Sequence, residues 1–338
     1  MLDIGFLHSD SNTGGFTRNI TNDHTILLGH SYCQIHDKKY DGIHFLPVLK
    51  RIVEEIEKQP AQYQKQSWSR IEVCHSQSFG GGRANARKPP LLNNSTSGPL
   101  TQSFIWQRIG RFLKPNDIVL AESGTAQFGM PDAQFPANTS YITQIFWSSI
   151  GYTVGACLGA CVAAKEQKRA GRVILIVGEG SLQMTVQEIG SCIRFGFKPI
   201  IFVINNNGYA IERAINGPEQ TYNEVSMLWD HQKMLEFLGA RKETGIPSKS
   251  FACRTVEELE GVLNDETFNN AGCIQVSFFH AIERFEPGTV DFFLNADDLQ
   301  VCEVFMDTFD YPWRLSTQVG VTRKKMEQAA IAAKAAQS

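Results

Sequence analysis

The chain has 338 residues and a mass of 37.7 kDa, room for about two domains of ~150 residues each. An apolar fraction of 42% against 20% charged residues supplies a hydrophobic core and excludes a wholly disordered chain. Thirty-two basic and 35 acidic side chains give a net charge of −3 and a pI near 6.3, which excludes the general basic surface of a nucleic-acid binder.

Residues 1–57 read as a small αβ segment, with TILLGHSYCQI forming one or two short strands and FLPVLKRIVEEIEK a helix carrying Pro47 near its first turn. Five histidines fall here (His8, His24, His30, His36, His44) without the i, i+4 spacing of a helical metal site, so they read as loop and surface residues. The opening MLDIGFLHSDSNTGG has no basic stretch followed by an apolar one and does not read as a signal peptide. Residues 58–100 read as a linker, marked by Gly80–Gly82, Pro89 with Pro90, and a run of Asn, Ser and Thr.

Residues 101–310 are orderly. SFIWQRIGRFL reads as an amphipathic helix, DIVLAESG as a strand entering a loop, and WSSIGYTVGACLGACVAAKEQ as a helix of small residues. The uncharged run Ser148–Ala164 is too short and too poor in Leu and Ile for a membrane span, and reads as a helix packed on all sides. RVILIVGEG follows as a strand, LQMTVQEIGSCIRFG as a helix, and PIIFVINNNG as a second strand apolar on both faces. Such strands alternating with helices indicate an α/β fold, a doubly wound, mostly parallel sheet covered on both sides. Further on, FNNAGCIQV and FLNADDLQVCEV read as two attempts at one strand, with residues 277–292 between them as an insertion or surface loop. Residues 311–338 form an Ala-rich, partly helical tail. The eight cysteines form no CxxC pair, and Cys157 and Cys161, one helical turn apart, read as small core side chains. A cytoplasmic protein is the expectation.

The residues with chemical potential gather at two strand ends, where ligands lie in such folds. Gly178-Glu179-Gly180-Ser181 opens a helix whose free N–H groups suit a phosphate. Asn205-Asn206-Asn207-Gly208-Tyr209 follows the next strand. A carboxylate and an amide from neighbouring strand ends offer hard oxygen ligands for Mg²⁺ or Ca²⁺ held against a diphosphate. Gly-rich turns alone are commonly structural, but 24 residues, 181–204, separate Gly180 from Asn205, and the pair resembles the thiamine diphosphate fingerprint, a GDG followed by NN.

With that pair in view, AESGTAQFGM, SYITQIFWSSIGYTVGA, VGEGSLQMTVQEI, NNNGYAIERAINGPEQTYNEV and WDH resemble, in order, pyruvate decarboxylase and related 2-keto acid decarboxylases, and SDSNTGGF resembles the end of that family's middle domain. The resemblance implies a thiamine diphosphate-binding domain over 101–310, preceded by a middle-domain remnant. It implies Glu179, Asn206 and the Gly208 carbonyl as ligands of Mg²⁺, and Gly180, Ser181 and the backbone near Ile211 as diphosphate contacts. Ser123, Thr125, Ser148, Ser149, Ile150 and Tyr209 complete the implied cofactor-binding set. Ile150 would bend the cofactor from beneath, and the Ser148 carbonyl would accept a hydrogen bond from it. Glu212 matches the carboxylate beside the substrate, where an apolar cleft would raise its pKa and let it shuttle protons.

The implied function is non-oxidative decarboxylation of a 2-keto acid, with pyruvate going to acetaldehyde and CO₂, in a homo-oligomer. Alternatives are a bulkier substrate, such as indolepyruvate or phenylpyruvate, and a non-catalytic cofactor-binding or assembly subunit. Position 179 departs from the usual Asp, its added methylene moving the carboxylate outward. The family's pyrimidine-binding domain has no counterpart in these residues, and a partner chain would have to supply it. The chain alone is therefore expected to be inactive. No GxGxxG follows a first strand, which argues against a dinucleotide-binding dehydrogenase.

Overall fold

A computed structural model of the protein describes residues 2–6, 22–59, 93–224, 229–244, 246, 248–270 and 299–335. The chain divides into two units, Met1–Lys88 and Pro89–Ser338. In the first, β1 (Leu2–Ile4), β2 (Ile26–Leu28), β3 (Tyr32–Ile35) and β4 (Lys38–Asp41) form a sheet in that order, β1 parallel to β2 and the rest antiparallel. TILLGHSYCQI becomes the β2–β3 hairpin, closed by the Gly29 N–H donating to the Tyr32 carbonyl at 2.9 Å. FLPVLKRIVEEIEK becomes α1 (Phe45–Lys58). His44 Nδ1 lies 2.6 Å from the His30 carbonyl and the two rings meet edge to face, a loop contact rather than a metal site. SDSNTGGF and most of the linker read over 58–100 lie outside the described residues.

The second unit is built on six parallel strands in the order β6 (Ser140–Ile142), β5 (Ile118–Ala121), β7 (Val173–Gly178), β8 (Ile200–Asn205), β10 (Leu299–Phe305) and β9 (Ser248–Cys253). Successive strand residues point to opposite faces. Ile174, Ile176, Ile200, Phe202 and Ile204 pack with α2 (Gln102–Phe112) and α9 (Val256–Asn264). Val173, Leu175, Val177, Ile201 and Val203 pack with α4 (Tyr152–Glu166) and α6 (Gln187–Arg194). Two covered faces explain the unbroken Val/Ile/Leu runs of β7 and β8, and the doubly wound parallel sheet read from the sequence is the one observed. Shorter helices join these elements: α3 (Thr125–Gly129), α5 (Glu179–Thr185), α7 (Ala210–Asn216), α8 (Met234–Phe237) and α10 (Glu266–Asn270). The chain then runs into α11 (Trp313–Ala335).

The chain leaves β5 for β6 on one side but continues from β7 to β8 on the other, so a crevice opens between the carboxyl ends of β5 and β7. The opposite end of the same strands is fastened by a buried ion pair. Arg172 donates to both Asp117 oxygens, at 3.2 and 2.6 Å, and to the carbonyls of Phe112 and Asn269 at 2.9 and 2.8 Å.

Four local expectations change. The small-residue helix begins at Tyr152, and only its Thr153, Val154, Cys157, Ala160, Cys161 and Ala164 side is buried. Tyr152, Gly155, Gly159 and Val162 face outward, because one 3.6-residue stripe suffices to cover the sheet. Conversely, α2 is buried almost all round. Its Arg108 pairs with Glu260 through two hydrogen bonds, and its Gln102 accepts from the Trp106 indole. LQMTVQEIGSCIRFG splits at Val186 into α5 and α6. Of the two strand candidates near 268–304, LQVCEVF forms β10, while 271–298, including the 277–292 segment, lie outside the described residues. The six described cysteines are buried and free, with Cys157 and Cys161 in the core as read. Among the described residues no helix is long and apolar enough to cross a membrane.

Candidate functional site

β7 passes into α5 without a loop, so Glu179 is the first helical residue and its side chain is only 2% exposed. Its Oε1 accepts the Gly208 N–H at 2.5 Å, joining the end of β7 to the turn after β8. Burial pushes the Glu179 carboxyl above its ordinary range, against the opposing pull of the Gly208, Glu179 and Asn206 amides and of His231. Among the described residues no Lys or Arg pairs with it.

The turn after β8 needs left-handed backbone at Asn207 (φ 60°) and Gly208 (φ 127°). A Cβ on Gly208 would sit 2.4 Å from the Asn223 carbonyl, so glycine is required there twice over. Gly180 serves a different purpose: its missing Cβ makes room for the Tyr209 ring, which a methyl would meet at 2.7 Å. The Arg213 guanidinium donates to the Asn207 carbonyl, and the Tyr209 N–H to the Asn223 carbonyl at 2.7 Å. Beneath the turn, Asn205 Nδ2 donates to Glu303 Oε1 at 2.8 Å while its Oδ1 accepts the Asn207 N–H at 3.2 Å. His231 Nδ1 donates to the same Glu303 oxygen at 2.8 Å, and its buried Nε2 has no partner among the described residues. Burial alone would raise the Glu303 carboxyl, but hydrogen bonds from His231, Asn205 and Gln232 hold it below its ordinary range.

On the other side of the crevice, Ser123 and Thr125 follow β5 through Gly124 (φ 138°). The Ser123 hydroxyl donates to the Gln144 carbonyl at 3.0 Å. Gln144 Oε1 accepts the N–H groups of Trp147 and Ser148, at 2.9 and 2.8 Å, and so folds the segment that presents Ser148 (φ 50°), Ser149 and Ile150. Ile150 is 42% exposed. Gly151 then meets α5, where the Thr185 hydroxyl donates to its carbonyl at 2.7 Å. Along one edge of the sheet, hydrogen bonds therefore link the ESGT turn to the 144–151 segment, that segment to the last residue of α5, and the first residue of α5 to the NNNG turn. Ile211 is half-buried on α7. Glu212, by contrast, is exposed on α7 and accepts from Asn216 Nδ2 at 2.8 Å, not enclosed by apolar walls.

A divalent cation and a diphosphate fit this edge. Among the described residues no three His, Cys, Asp or Glu side chains converge. The candidate donors are instead one carboxylate (Glu179), one buried amide (Asn206) and one carbonyl (Gly208), an all-oxygen set of the kind Mg²⁺ takes alongside phosphate oxygens. A buried carboxylate that no Lys or Arg among the described residues pairs with fits a seat for such a cation. Sequence reading missed Glu122, Asn223, His231 and Glu303, which support the turns from behind. Glu303 alone left a signal, as an acidic residue inside the apolar run LQVCEVF.

Residues 122–276 match the thiamine pyrophosphate enzyme family over its C-terminal TPP binding domain. The chain therefore carries a region matching the C-terminal TPP binding domain of that family. It is 35% identical over 277 residues to a putative pyruvate decarboxylase of Schizosaccharomyces pombe, covering 82% of this chain and 46% of that protein. It is 37% identical over 290 residues to the pyruvate decarboxylase of Aspergillus terreus, covering 86% and 47%. The chain is thus similar to the pyruvate decarboxylases over part of their sequence and spans about half the length of these relatives. A solved structure, benzoylformate decarboxylase from Polynucleobacter necessarius, aligns with a TM-score of 0.45 and 16% identity over 62% of this chain and 33% of that one, too weakly to carry an argument.

Proposed function

We propose that this chain holds thiamine diphosphate and Mg²⁺ at the carboxyl edge of its sheet and serves the decarboxylation of a 2-keto acid, pyruvate first among them. The observation that carries the proposal is the buried Glu179 carboxylate, tied to Gly208 beside Asn206 and paired with no Lys or Arg among the described residues. Glu179, Asn206 and the Gly208 carbonyl would hold the cation, with Gly180, Ser181 and the backbone at Ile211 toward the diphosphate. Ser123, Thr125, Ser148, Ser149, Ile150 and Tyr209 would line the organic part. When bound, thiamine diphosphate supplies the electron sink for breaking the bond between a keto carbon and its carboxylate. Glu212 would carry protons to and from the substrate once the exposed face of α7 is covered.

Exposed Ile145, Phe146, Trp147 (74% exposed) and Tyr152, beside the open face of α4, support assembly with a second chain in a homo-oligomer. The compartment proposed is the cytoplasm. The polypeptide of these 338 residues, tested by itself, is expected to bind cofactor and to turn over pyruvate slowly or not at all until a pyrimidine-binding partner is added.

Calorimetric titration of thiamine diphosphate with and without Mg²⁺ tests the reading. Metal-dependent binding that Asn206→Ala weakens at least ~10-fold, a loss of ~1.4 kcal/mol, is the expected result. No binding, or binding indifferent to Mg²⁺ and to Asn206→Ala, refutes it. Binding without turnover after complementation would instead make the chain a non-catalytic subunit.

A further inference from the structure

We infer that Glu303 and Asn205 are positioning residues, a carboxylate on β10 fixing an amide at the end of β8 so that the NNNG turn presents its oxygen donors to a divalent cation and a diphosphate. The inference rests on the reading of that turn as a cofactor seat.

The argument begins with an acidic side chain where the sheet is otherwise apolar. Glu303 is 3% exposed, between Cys302 and Val304 on a strand hydrogen-bonded on both sides. A buried carboxylate needs donors, and three reach it. Oε1 accepts from Asn205 Nδ2 and His231 Nδ1, both at 2.8 Å, and Oε2 from Gln232 Nε2 at 3.0 Å. Gln232 Nε2 also donates to the Phe251 carbonyl at 3.1 Å, so the carboxyl ends of β8, β9 and β10 share one network.

What this does to Asn205 follows from donor and acceptor types. A carboxylate accepts only, so the Asn205 amide must turn its NH₂ toward Glu303 and its oxygen toward the turn. That oxygen accepts the Asn207 N–H at 3.2 Å. The Asn207 backbone is left-handed (φ 60°), a conformation that a local side-chain acceptor helps to hold. Asn206 and Gly208 flank Asn207, and the Gly208 N–H reaches Glu179. With an apolar residue at 303 the amide loses its orienting partner and can present NH₂ to another N–H, releasing the turn. Glu303 itself touches none of the proposed ligands. It acts by preorganising them.

The test is calorimetry of thiamine diphosphate with Mg²⁺ on the full 338-residue chain, alongside the melting temperature of each unloaded variant. Asn205→Ala and Glu303→Ala should weaken binding ~10-fold, equivalent to ~1.4 kcal/mol, the size of one well-made hydrogen bond. Glu303→Gln can still accept from Asn205 and His231 through its oxygen while its NH₂ faces the Gln232 donor, so its melting temperature should fall but its affinity stay within ~3-fold of the parent protein. Val301→Ala, on the same strand and sheet face but two residues further from the turn, should lower the melting temperature and leave affinity unchanged. If Glu303→Ala does not fold, Asn205→Ala carries the test, because it leaves Glu303 two of its three donors.

Parent-like affinity in Asn205→Ala and Glu303→Ala, with loss in Asn206→Ala, overturns this inference and leaves the cofactor reading standing. Affinity that merely follows melting temperature across the set, without rescue in Glu303→Gln, overturns it too. No binding by the parent protein overturns the cofactor reading and this inference with it.

Discussion

Replacing Glu122 by Gln probes how the two turns on the β5 side of the crevice are held. Glu122 is 1% exposed, with Oε1 accepting the Ser123 N–H at 2.7 Å and Oε2 accepting the Thr153 N–H at 3.1 Å and its hydroxyl at 2.6 Å. All three partners are donors, so residue 122 must accept at both ends. A glutamine accepts at one end only. Its less costly orientation keeps Thr153 and turns NH₂ toward the Ser123 N–H, leaving one buried amide opposed by a donor, a loss of about 1–3 kcal/mol. Glu122→Ala orphans the Ser123 and Thr153 amides together and opens a small void, for about 2–5 kcal/mol. Urea denaturation followed by tryptophan fluorescence reads both, with an unchanged denaturant slope as the check on two-state unfolding. Because the same contacts link Ser123 to the start of α4, thiamine diphosphate affinity should fall in both variants. Stability of Glu122→Gln within ~0.5 kcal/mol of the parent protein would refute the donor count.

Arg172→Ala removes the ion-pair partner of the buried Asp117 carboxylate, which keeps only the Lys114 and residue-172 backbone N–H groups, and one donor from each of two carbonyls; it should cost about 3–5 kcal/mol by chemical denaturation. Gly129→Ala places a methyl 2.1 Å from the Trp106 indole nitrogen in a filled core. It should lower stability by about 1–3 kcal/mol or more, with a change in near-ultraviolet circular dichroism from Trp106. Glu260 has a carboxyl lowered chiefly by its hydrogen bond from Arg108, so the pair stabilises the folded state above the ordinary value of 4.5 and loses that contribution as pH falls through the lowered one. Parent and Glu260→Gln should therefore differ by ~1 kcal/mol at neutral pH and converge in acid, as read from melting temperatures across that range.

The sheet was legible because burial on both faces leaves a direct mark, the Val/Ile runs of β7 and β8. Gly180 of GEGS and Gly208 of NNNG were legible because close approach and positive φ leave few other residues possible. What lay behind them was harder to read. Glu303 is nearly a hundred positions from Asn205 in the chain, and only the insertion of β10 between β8 and β9 makes them neighbours. Glu122 looks like any residue of a turn until the start of α4 is placed above it. The helix of small residues was overread as enclosed, since composition records which side chains fit against a sheet and says nothing of how many faces are covered. Glu212 stood out through resemblance alone; beside Arg213 it reads by itself as a solvated carboxylate, and the structure exposes it.

The order in which the strands are made has a consequence for how the protein comes off the ribosome. β8 ends at Asn205 and β9 at Cys253, yet the strand that separates them begins only at Leu299. At about 5–20 residues per second, the apolar edge IIFVIN emerges several seconds before its permanent neighbour exists. An unpaired edge of that composition invites pairing with other nascent chains. Newly made protein should accordingly need shielding by a chaperone over that interval. The NNNG turn gains its Glu303 anchor only when β10 closes the gap, which makes competence to hold a cofactor a late event in synthesis.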